Sequence, residues 1–100
     1  MQKQQRRRLK ALAHGLKPIV RIGQHGLHAN VLMEIDRALT DHELVKIRVA
    51  AADRDDRQAM VTSICESTTA TLVATTGHVA VLFRRNAEAP VIDLSETGTG

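Results

Sequence analysis

The sequence predicts an α/β protein made of a single small domain, in which helices pack against a mixed four-stranded sheet. The chain has 100 residues, the size of one compact domain, and 43% of them are hydrophobic, enough to form a core. Apolar residues recur with a helical period in three segments and with strand-like patterns in four. These segments follow the order α-β-α-β-α-β-β. Each β-α-β step predicts parallel neighbouring strands joined by a right-handed crossover, whereas the final β-β pair must be an antiparallel hairpin.

The first helix is predicted from an apolar stripe with the spacing i, i+3, i+4, i+7. Its members are Leu9, Leu12, Ala13 and Leu16. The helix should stop near Gly15, because Pro18 prevents its continuation. Residues 18–22 (PIVRI) then read as a short strand of mainly β-branched residues.

The second helix is predicted over residues 28–41, where apolar residues again recur at helical spacing. A strand should follow over residues 43–50. In that strand the side chains alternate between two faces of the sheet. One face holds Val45, Ile47 and Val49, and the other holds Lys46 and Arg48.

The third helix should be capped by Asp53, with Asp56 in its first turn. Its apolar stripe consists of Met60, Val61, Ile64 and Cys65. Two strands at residues 71–75 and 79–83 form the hairpin, joined by the turn Thr-Gly-His at residues 76–78. We expect the domain to cover residues 1–86 and residues 87–100 to form a mostly disordered tail.

The charge of the chain is distributed unevenly. The net charge is +3, but residues 1–21 hold seven basic residues and no acidic one. The remaining residues hold the other seven basic residues and all eleven acidic ones. A positive end on an acidic body predicts a polyanionic partner, and the alternative is a solvated, fraying terminus.

The segment Gly23-Gln24-His25-Gly26 lies between a predicted strand and a predicted helix. Two glycines three residues apart let the backbone approach a ligand, and the helix start directs N–H groups at the same place. This favours a phosphate, and the alternative is a plain turn. The spacing fits neither the phosphate loop of nucleotide hydrolases nor the dinucleotide fingerprint. It does fit the Gly-x-x-Gly clamp of KH domains, although that clamp joins two helices.

Several blocks of the chain, in order, resemble the CRM domain, named for chloroplast RNA splicing and ribosome maturation, and its stand-alone bacterial form, the YhbY-like protein. The blocks are LKALAHGLKP at 9–18, RIGQHGL at 21–27, EIDRAL at 34–39, HELVKIR at 42–48 and TGHV at 76–79. The resemblance runs from about residue 7 to residue 86. It implies an RNA-binding domain related in fold to the C-terminal domain of translation initiation factor three, and association with precursors of the large ribosomal subunit.

The resemblance places the family's loop on residues 23–26. Family members commonly have Lys-Asn between the glycines, so Gln24 and His25 remove a fixed positive charge from the loop. His28 stands where the family often has a Thr or Ser helix cap.

The candidate RNA-binding residues combine the loop with nearby and terminal basic side chains. They are Arg6, Arg7, Arg8, Lys10, Lys17, Arg21, Gly23, Gln24, His25, Gly26, Arg84 and Arg85. For the last two arginines the alternative is solvation of a strand end. The lone aromatic residue, Phe83, argues against a sheet that stacks several bases.

Other functions find little support in the sequence. No metal-binding motif, cofactor motif or pair of base and nucleophile is present, so we expect neither an enzyme nor a cofactor. Cys65 lies on an apolar stripe and should be an inert core thiol. A protein-interaction or DNA-binding module remains the alternative to RNA binding. We expect a monomeric, cytoplasmic protein, since the single cysteine suits a reducing compartment.

Overall fold

The order of helices and strands is the one predicted from the sequence. The computed structural model describes residues 1–23, 26–50 and 53–92. The elements are α1 Lys3–Ala13, β1 Val20–Ile22, α2 Ala29–His42, β2 Leu44–Val49, α3 Arg54–Thr68, β3 Thr71–Thr76 and β4 Val79–Phe83. The predicted α/β fold class, with a mixed four-stranded sheet, is confirmed.

The four strands lie in the order β1-β2-β4-β3. Strands β1 and β2 are parallel neighbours, as predicted, and β4 runs antiparallel to both of its neighbours. The prediction that the second β-α-β step also gives neighbouring strands is wrong, because the hairpin strand β4 pairs with both β2 and β3 and lies between them. Strand β4, one of the two inner strands, is an uninterrupted apolar run in which residues 80–83 are buried. Such a run is expected where both faces of a strand are covered. Gly77 opens the β3–β4 turn with a φ of +57°, which glycine adopts at little cost.

The two faces of the sheet bury different cores. Helices α2 and α3 pack on one face over the larger cluster, which includes Val45, Ile47 and Val49 of β2. Helix α1 packs on the other face over a smaller cluster that includes Leu44 and Phe83. The predicted alternation along β2 is therefore confirmed, with Arg48 exposed on the α1 side.

The predicted apolar stripe of α1 is only half buried. Leu9 and Ala13 are buried, whereas Leu12 and Leu16 are 41% and 38% exposed. The reason is that α1 contacts β2 and β3 on a sheet face that no second helix shares, so only a narrow line of its side chains meets the core. Apolar spacing identified the helix correctly but overestimated how much of it is covered.

Glu43 links the end of α2 to the segment that follows β4. Its side chain is fully buried and accepts hydrogen bonds from the backbone N–H groups of Asn86, Val91 and Ile92 at 2.7, 2.9 and 2.7 Å. Arg85 lies 3.6 Å from the same carboxylate. Burial raises the pKa of Glu43, but these N–H donors and Arg85 outweigh it, and the net pKa is lowered.

This arrangement bears on the predicted tail. Backbone groups at residues 86, 91 and 92 are anchored on Glu43, and the Ile92 side chain packs against the smaller core. Residues 93–100 lie outside the described residues. The boundary placed at residue 86 and the disorder expected after it therefore stay predictions.

The local signals on α3 are found as predicted. Asp53 caps the helix, and its side chain accepts a hydrogen bond from the Asp55 N–H at 2.7 Å. Val61 and Ile64 are buried, and Met60 and Cys65 pack beside them. Burial raises the pKa of the Cys65 thiol, which disfavours the reactive thiolate at neutral pH.

Candidate nucleic-acid interface

One edge of the sheet gathers the features expected of a phosphate site. The carboxyl ends of β1 and β2 meet there, because the Ala50 N–H donates to the Ile22 carbonyl at 2.8 Å. The β3–β4 turn joins the same edge, since the Val49 N–H donates to the His78 carbonyl at 2.6 Å. Helices α2 and α3 both begin at this edge, directing the positive ends of their dipoles toward it.

The start of α2 is open to an anion. His28 occupies the N-cap without a side-chain hydrogen bond among the described residues, and the first turn contains no acidic residue. Gly26 has a φ of +83°, a conformation that favours glycine, and its N–H donates to the Gly23 carbonyl at 3.2 Å. A β-carbon added at either glycine would meet no atom within 4 Å. Backbone N–H groups and space for a ligand therefore coincide here.

Gln24 and His25 lie outside the described residues. The contacts predicted for their side chains with a backbone or a base therefore stay predictions. Gly23 directly follows β1, and Gly26 lies three residues before α2, so the two glycines bracket the loop.

Beside the loop, the α1 face of the sheet carries three basic side chains. Arg21 of β1 pairs directly with Arg48 of β2, so both project from the same face, and Lys46 lies two residues before Arg48 on that face. Both arginines are exposed, and Lys46 is half-buried. Arg21 was a predicted site residue, but Lys46 and Arg48 were not included. Their alternation with Val45, Ile47 and Val49 was the signal that could have identified them.

The basic side chains continue from the sheet to the end of α1. Lys46 and the exposed Lys17 line one shallow groove together with Leu12 and Leu16. The predicted residues Lys17 and Arg21 are thus brought together with Lys46 and Arg48. We call these four residues the basic track.

Helix α1 presents most of its predicted basic residues to solvent. Arg7, Arg8 and Lys10 are exposed, and Arg7 and Lys10 share a helical stripe with Lys3 and His14 at i, i+4, i+7 and i+11. This stripe lies on a different side of the helix from the buried residue Leu9.

Arg6 differs from the other basic residues of α1. Its guanidinium donates to the carbonyls of Leu72 and Val73 at 2.8 and 2.7 Å. The side chain therefore fastens α1 to β3, at a place where β3 is irregular between Leu72 and Ala74. Its prediction as an RNA contact remains untested, but its guanidinium already binds the protein backbone.

Arg84 and Arg85 bind groups within the protein, which neither of the two sequence-based interpretations included, and their contact with RNA stays a prediction. Arg84 donates to Asp36, to the Thr40 hydroxyl at 2.8 Å and to the Thr68 carbonyl at 2.9 Å. It therefore joins α2, the end of α3 and β4. Arg85 donates to the Ile92 carbonyl and lies beside Glu43.

Charge separates across the sheet. Three elements, α1, β1 and β2, hold eight basic residues and no acidic one: Lys3, Arg6, Arg7, Arg8, Lys10, Arg21, Lys46 and Arg48. Helices α2 and α3 hold six acidic residues and three basic ones: Glu34, Asp36, Asp41, Asp55, Asp56 and Glu66 against Arg37, Arg54 and Arg57. An anionic partner is attracted to the α1 side.

In the parts of the chain that the structure describes, no group of three or more His, Cys, Asp or Glu side chains is placed to hold a metal ion. No described helix combines the length and apolar character needed to cross a membrane.

Comparisons with known proteins agree on a family. A Haemophilus influenzae protein named "RNA-binding protein" is 46% identical over 87 residues, covering 87% of this chain and 88% of that protein. A Pseudomonas aeruginosa protein named as a probable RNA-binding protein is 40% identical over 83 residues, covering 83% of this chain and 80% of the other.

A solved structure agrees with the fold. The solution structure of a Staphylococcus aureus hypothetical protein matches with a TM-score of 0.80 and 33% identity, covering 94% of this chain and 98% of that one. The model of the CRS1 / YhbY (CRM) domain matches residues 1–84. The resemblance noticed in the sequence is confirmed, and the chain belongs to the CRS1 / YhbY (CRM) domain family.

Proposed function

We propose that the protein binds RNA, and that its RNA is ribosomal RNA in precursors of the large ribosomal subunit. The observation that carries RNA binding is the continuity of the basic surface. It runs from the open N-terminus of α2, over the basic track, to the exposed stripe of α1. The names of the relatives agree with a nucleic-acid partner of this kind. The ribosomal assignment rests on the family resemblance in the sequence.

The proposed mode of binding is contact with the phosphate backbone. The glycine loop and the start of α2 offer N–H groups to a phosphate, and the basic track and α1 supply attraction by releasing counterions. The aromatic ring of Phe83 is buried under α1, so it offers no platform on which a base could stack. Backbone contacts should therefore dominate on the α1 side.

Its proposed role is non-catalytic: the protein would act as a monomer in the cytoplasm and bind a particle during assembly. A DNA-reading module is the second candidate, but duplex DNA is read by polar and basic residues on a helix. The exposed residues of α2 include Glu34, Asp36 and Asp41, which repel a phosphate backbone. The exposed basic side chains on the α1 side, by contrast, can contact the phosphates of an RNA of any sequence.

The decisive experiment measures affinity for a large-subunit ribosomal RNA fragment at two salt concentrations, with duplex DNA as competitor. We expect affinity to fall steeply with salt and RNA to win the competition. An affinity that is flat with salt would overturn the electrostatic mode, and equal competition by DNA would overturn RNA selectivity.

The assembly role has its own test. The protein should co-sediment with large-subunit precursors more than with mature ribosomes in a low-salt gradient. Recovery only among free proteins would remove the assembly role while leaving RNA binding standing. Crosslinking in cells, followed by sequencing of the bound RNA, would then identify the RNA.

A further inference from the structure

We propose that the cavity between the start of α3 and the β3–β4 turn receives one unpaired nucleobase of the bound RNA. This inference rests on the proposed RNA-binding function and adds a second kind of contact to it. The phosphate contacts on the α1 side carry no sequence information, whereas a base held in a cavity would.

The cavity has the size and composition of a small-ligand site. Its volume is about 330 Å³, and its apolar walls are formed by Val49, Val61, Val79 and Ala80. Sites for small molecules are typically cavities of about 300–1,000 Å³, mostly apolar, with a few polar groups that fix orientation. A nucleobase, which has apolar faces and a polar edge, can pack against such apolar walls.

Four of the polar side chains that line the cavity end in planar groups, and Thr75 adds a hydroxyl. Arg57 and His78 lie with their side-chain nitrogens 3.4 Å apart, and Gln58 and Arg54 complete the lining on α3. Guanidinium planes stack on bases, and amide groups hydrogen bond to base edges. These side chains therefore offer both the stacking and the edge contacts by which proteins hold unpaired bases.

The starts of α2 and α3 differ in their charged side chains. Asp53 already accepts the Asp55 N–H at 2.7 Å, and Asp55 and Asp56 add two carboxylates to the first turn of α3. Arg54 and Arg57 line the cavity beside them, so acidic and basic side chains nearly balance at this helix start. At the start of α2, by contrast, the first turn has no acidic residue.

The cavity is within reach of an RNA held at the glycine loop. The loop follows β1, and the turn at Gly77 joins β4 to β3, with only β2 between β1 and β4. Neighbouring strands are about 4.8 Å apart, so the two sites are separated by about 10 Å along the edge. About three stacked nucleotides, at about 3.4 Å each, span that distance.

The test is a nuclear magnetic resonance titration of the full chain with two single-stranded hexamers, one of RNA and one of abasic ribose phosphates. The RNA should shift the amides of Gly23 and Gly26 at the loop and those of Gln58, Gly77 and His78 at the cavity. The abasic hexamer, which keeps the phosphates, should shift the loop signals only.

Each other outcome overturns the inference in a distinguishable way. Equal cavity shifts with both hexamers would mean that phosphate, not base, occupies the site. Loop shifts without cavity shifts for RNA would leave RNA binding intact and remove the base site. No shift at either place would overturn both proposals.

A pair of matched variants gives an independent check. Arg54→Gln and Arg37→Gln each remove one positive charge from an exposed helical residue, but only Arg54 lines the cavity. Arg54→Gln should lower affinity for the RNA hexamer about fivefold or more relative to Arg37→Gln, as expected for a lost base contact. The two variants should bind the abasic hexamer equally. Equal binding of the RNA hexamer by two variants with wild-type melting temperatures would contradict the base site.

Discussion

The two sides of the sheet have different roles. On the side of α2 and α3, ten buried residues form the larger core cluster and Arg84 ties both helices to β4. On the side of α1, six buried residues form the smaller cluster, and basic side chains collect on the uncovered sheet. The first side is mostly packed core, with a cavity beside the start of α3, and the second leaves a wide basic surface free for a partner.

The pairing of Arg21 with Arg48 makes this difference concrete. Like charges opposite each other on neighbouring strands destabilise a sheet. No acidic residue in α1, β1 or β2 offsets them. A sequence selected for stability alone would gain by placing a glutamate at one of these positions. Repulsion retained on an exposed face therefore points to a bound anion. The following substitutions test this difference between the two sides of the sheet.

The largest effect on binding should come from reversing the charges on the sheet. In Arg21→Glu with Arg48→Glu, RNA affinity should fall about 100-fold, since each charged hydrogen bond contributes roughly 1.5–3 kcal/mol. Arg37→Glu, on the α2 side, is the control and should bind as the unchanged protein does. The measurement is fluorescence anisotropy with a ribosomal RNA fragment. Equal losses in all variants would show that only net charge matters.

The next effect should come from the loop. Gly23→Asp places a carboxylate at the phosphate site, and affinity should fall about tenfold. The structure makes this variant cleaner than Gly26→Asp, because only Gly26 has a positive φ and would strain any replacement. Gln24→Asp with His25→Asp adds charge while keeping both glycines. If these folded variants bind normally, the loop is only a turn.

Glu43 should affect stability rather than binding. Glu43→Gln removes the charge that three backbone N–H groups hydrogen bond, and the free energy of unfolding should fall by about 1–3 kcal/mol. Because folding lowers the pKa of Glu43 below its ordinary value of 4.5, its contribution is fully present above that pH. It is lost as pH falls through the lower pKa of the folded state.

Urea unfolding at pH 7 and at pH 3 checks this prediction. The difference between the original protein and Glu43→Gln should shrink in acid. A difference independent of pH would show that the carboxylate charge does not contribute. If Glu43→Gln binds RNA normally at pH 7, Glu43 contributes to stability and not to binding by the basic track.

A smaller effect of opposite sign is expected at a single arginine. Arg48→Glu turns the repulsive pair with Arg21 into an attractive one, and stability should rise by about 0.2–1 kcal/mol while RNA affinity falls. Arg37 lies on α2 and has no cross-strand partner, so Arg37→Glu serves as the control. Thermal melts beside binding curves measure both quantities. A destabilised Arg48→Glu would contradict the view that repulsion is tolerated for binding.

The smallest effect should come from restoring the loop residues that the family commonly has. Gln24→Lys with His25→Asn adds one positive charge near the phosphate site. Affinity should rise, and the salt dependence should steepen by about one phosphate contact. Binding measured at two salt concentrations tests this, and an unchanged slope would place the added lysine away from RNA.

Sequence patterns of short range predicted most of the fold. The Asp53 cap involves neighbours two residues apart, and the alternation of β2 is visible within six residues. The glycine turn of the hairpin is equally local. Such features follow from backbone geometry and from which face of an element is apolar, so no distant part of the chain is needed to recognise them.

The roles of individual charged residues could not be predicted in this way. Arg6 and Arg7 are adjacent and chemically identical, yet Arg6 binds β3, 66 and 67 residues away, while Arg7 is exposed. The sequence places Arg84 at the end of a strand, but its guanidinium donates a hydrogen bond to Asp36, 48 residues earlier. The sequence pattern predicts Glu43 as the start of a strand, but it is the C-cap of α2, and nothing local signals that its carboxylate is buried.

The order of elements, the strand faces, the glycine loop and the excess of positive charge in residues 1–21 can all be predicted from the sequence, since each is encoded in neighbouring residues. Which basic residues are free to bind depends on how distant segments pack together. Pairing of β1 with β2 set Arg21 beside Arg48, and packing of α1 on the same face brought Lys17 to Lys46. The physical reason is that a guanidinium or ammonium binds whatever acceptor lies within reach, and reach is fixed by the packing of distant segments.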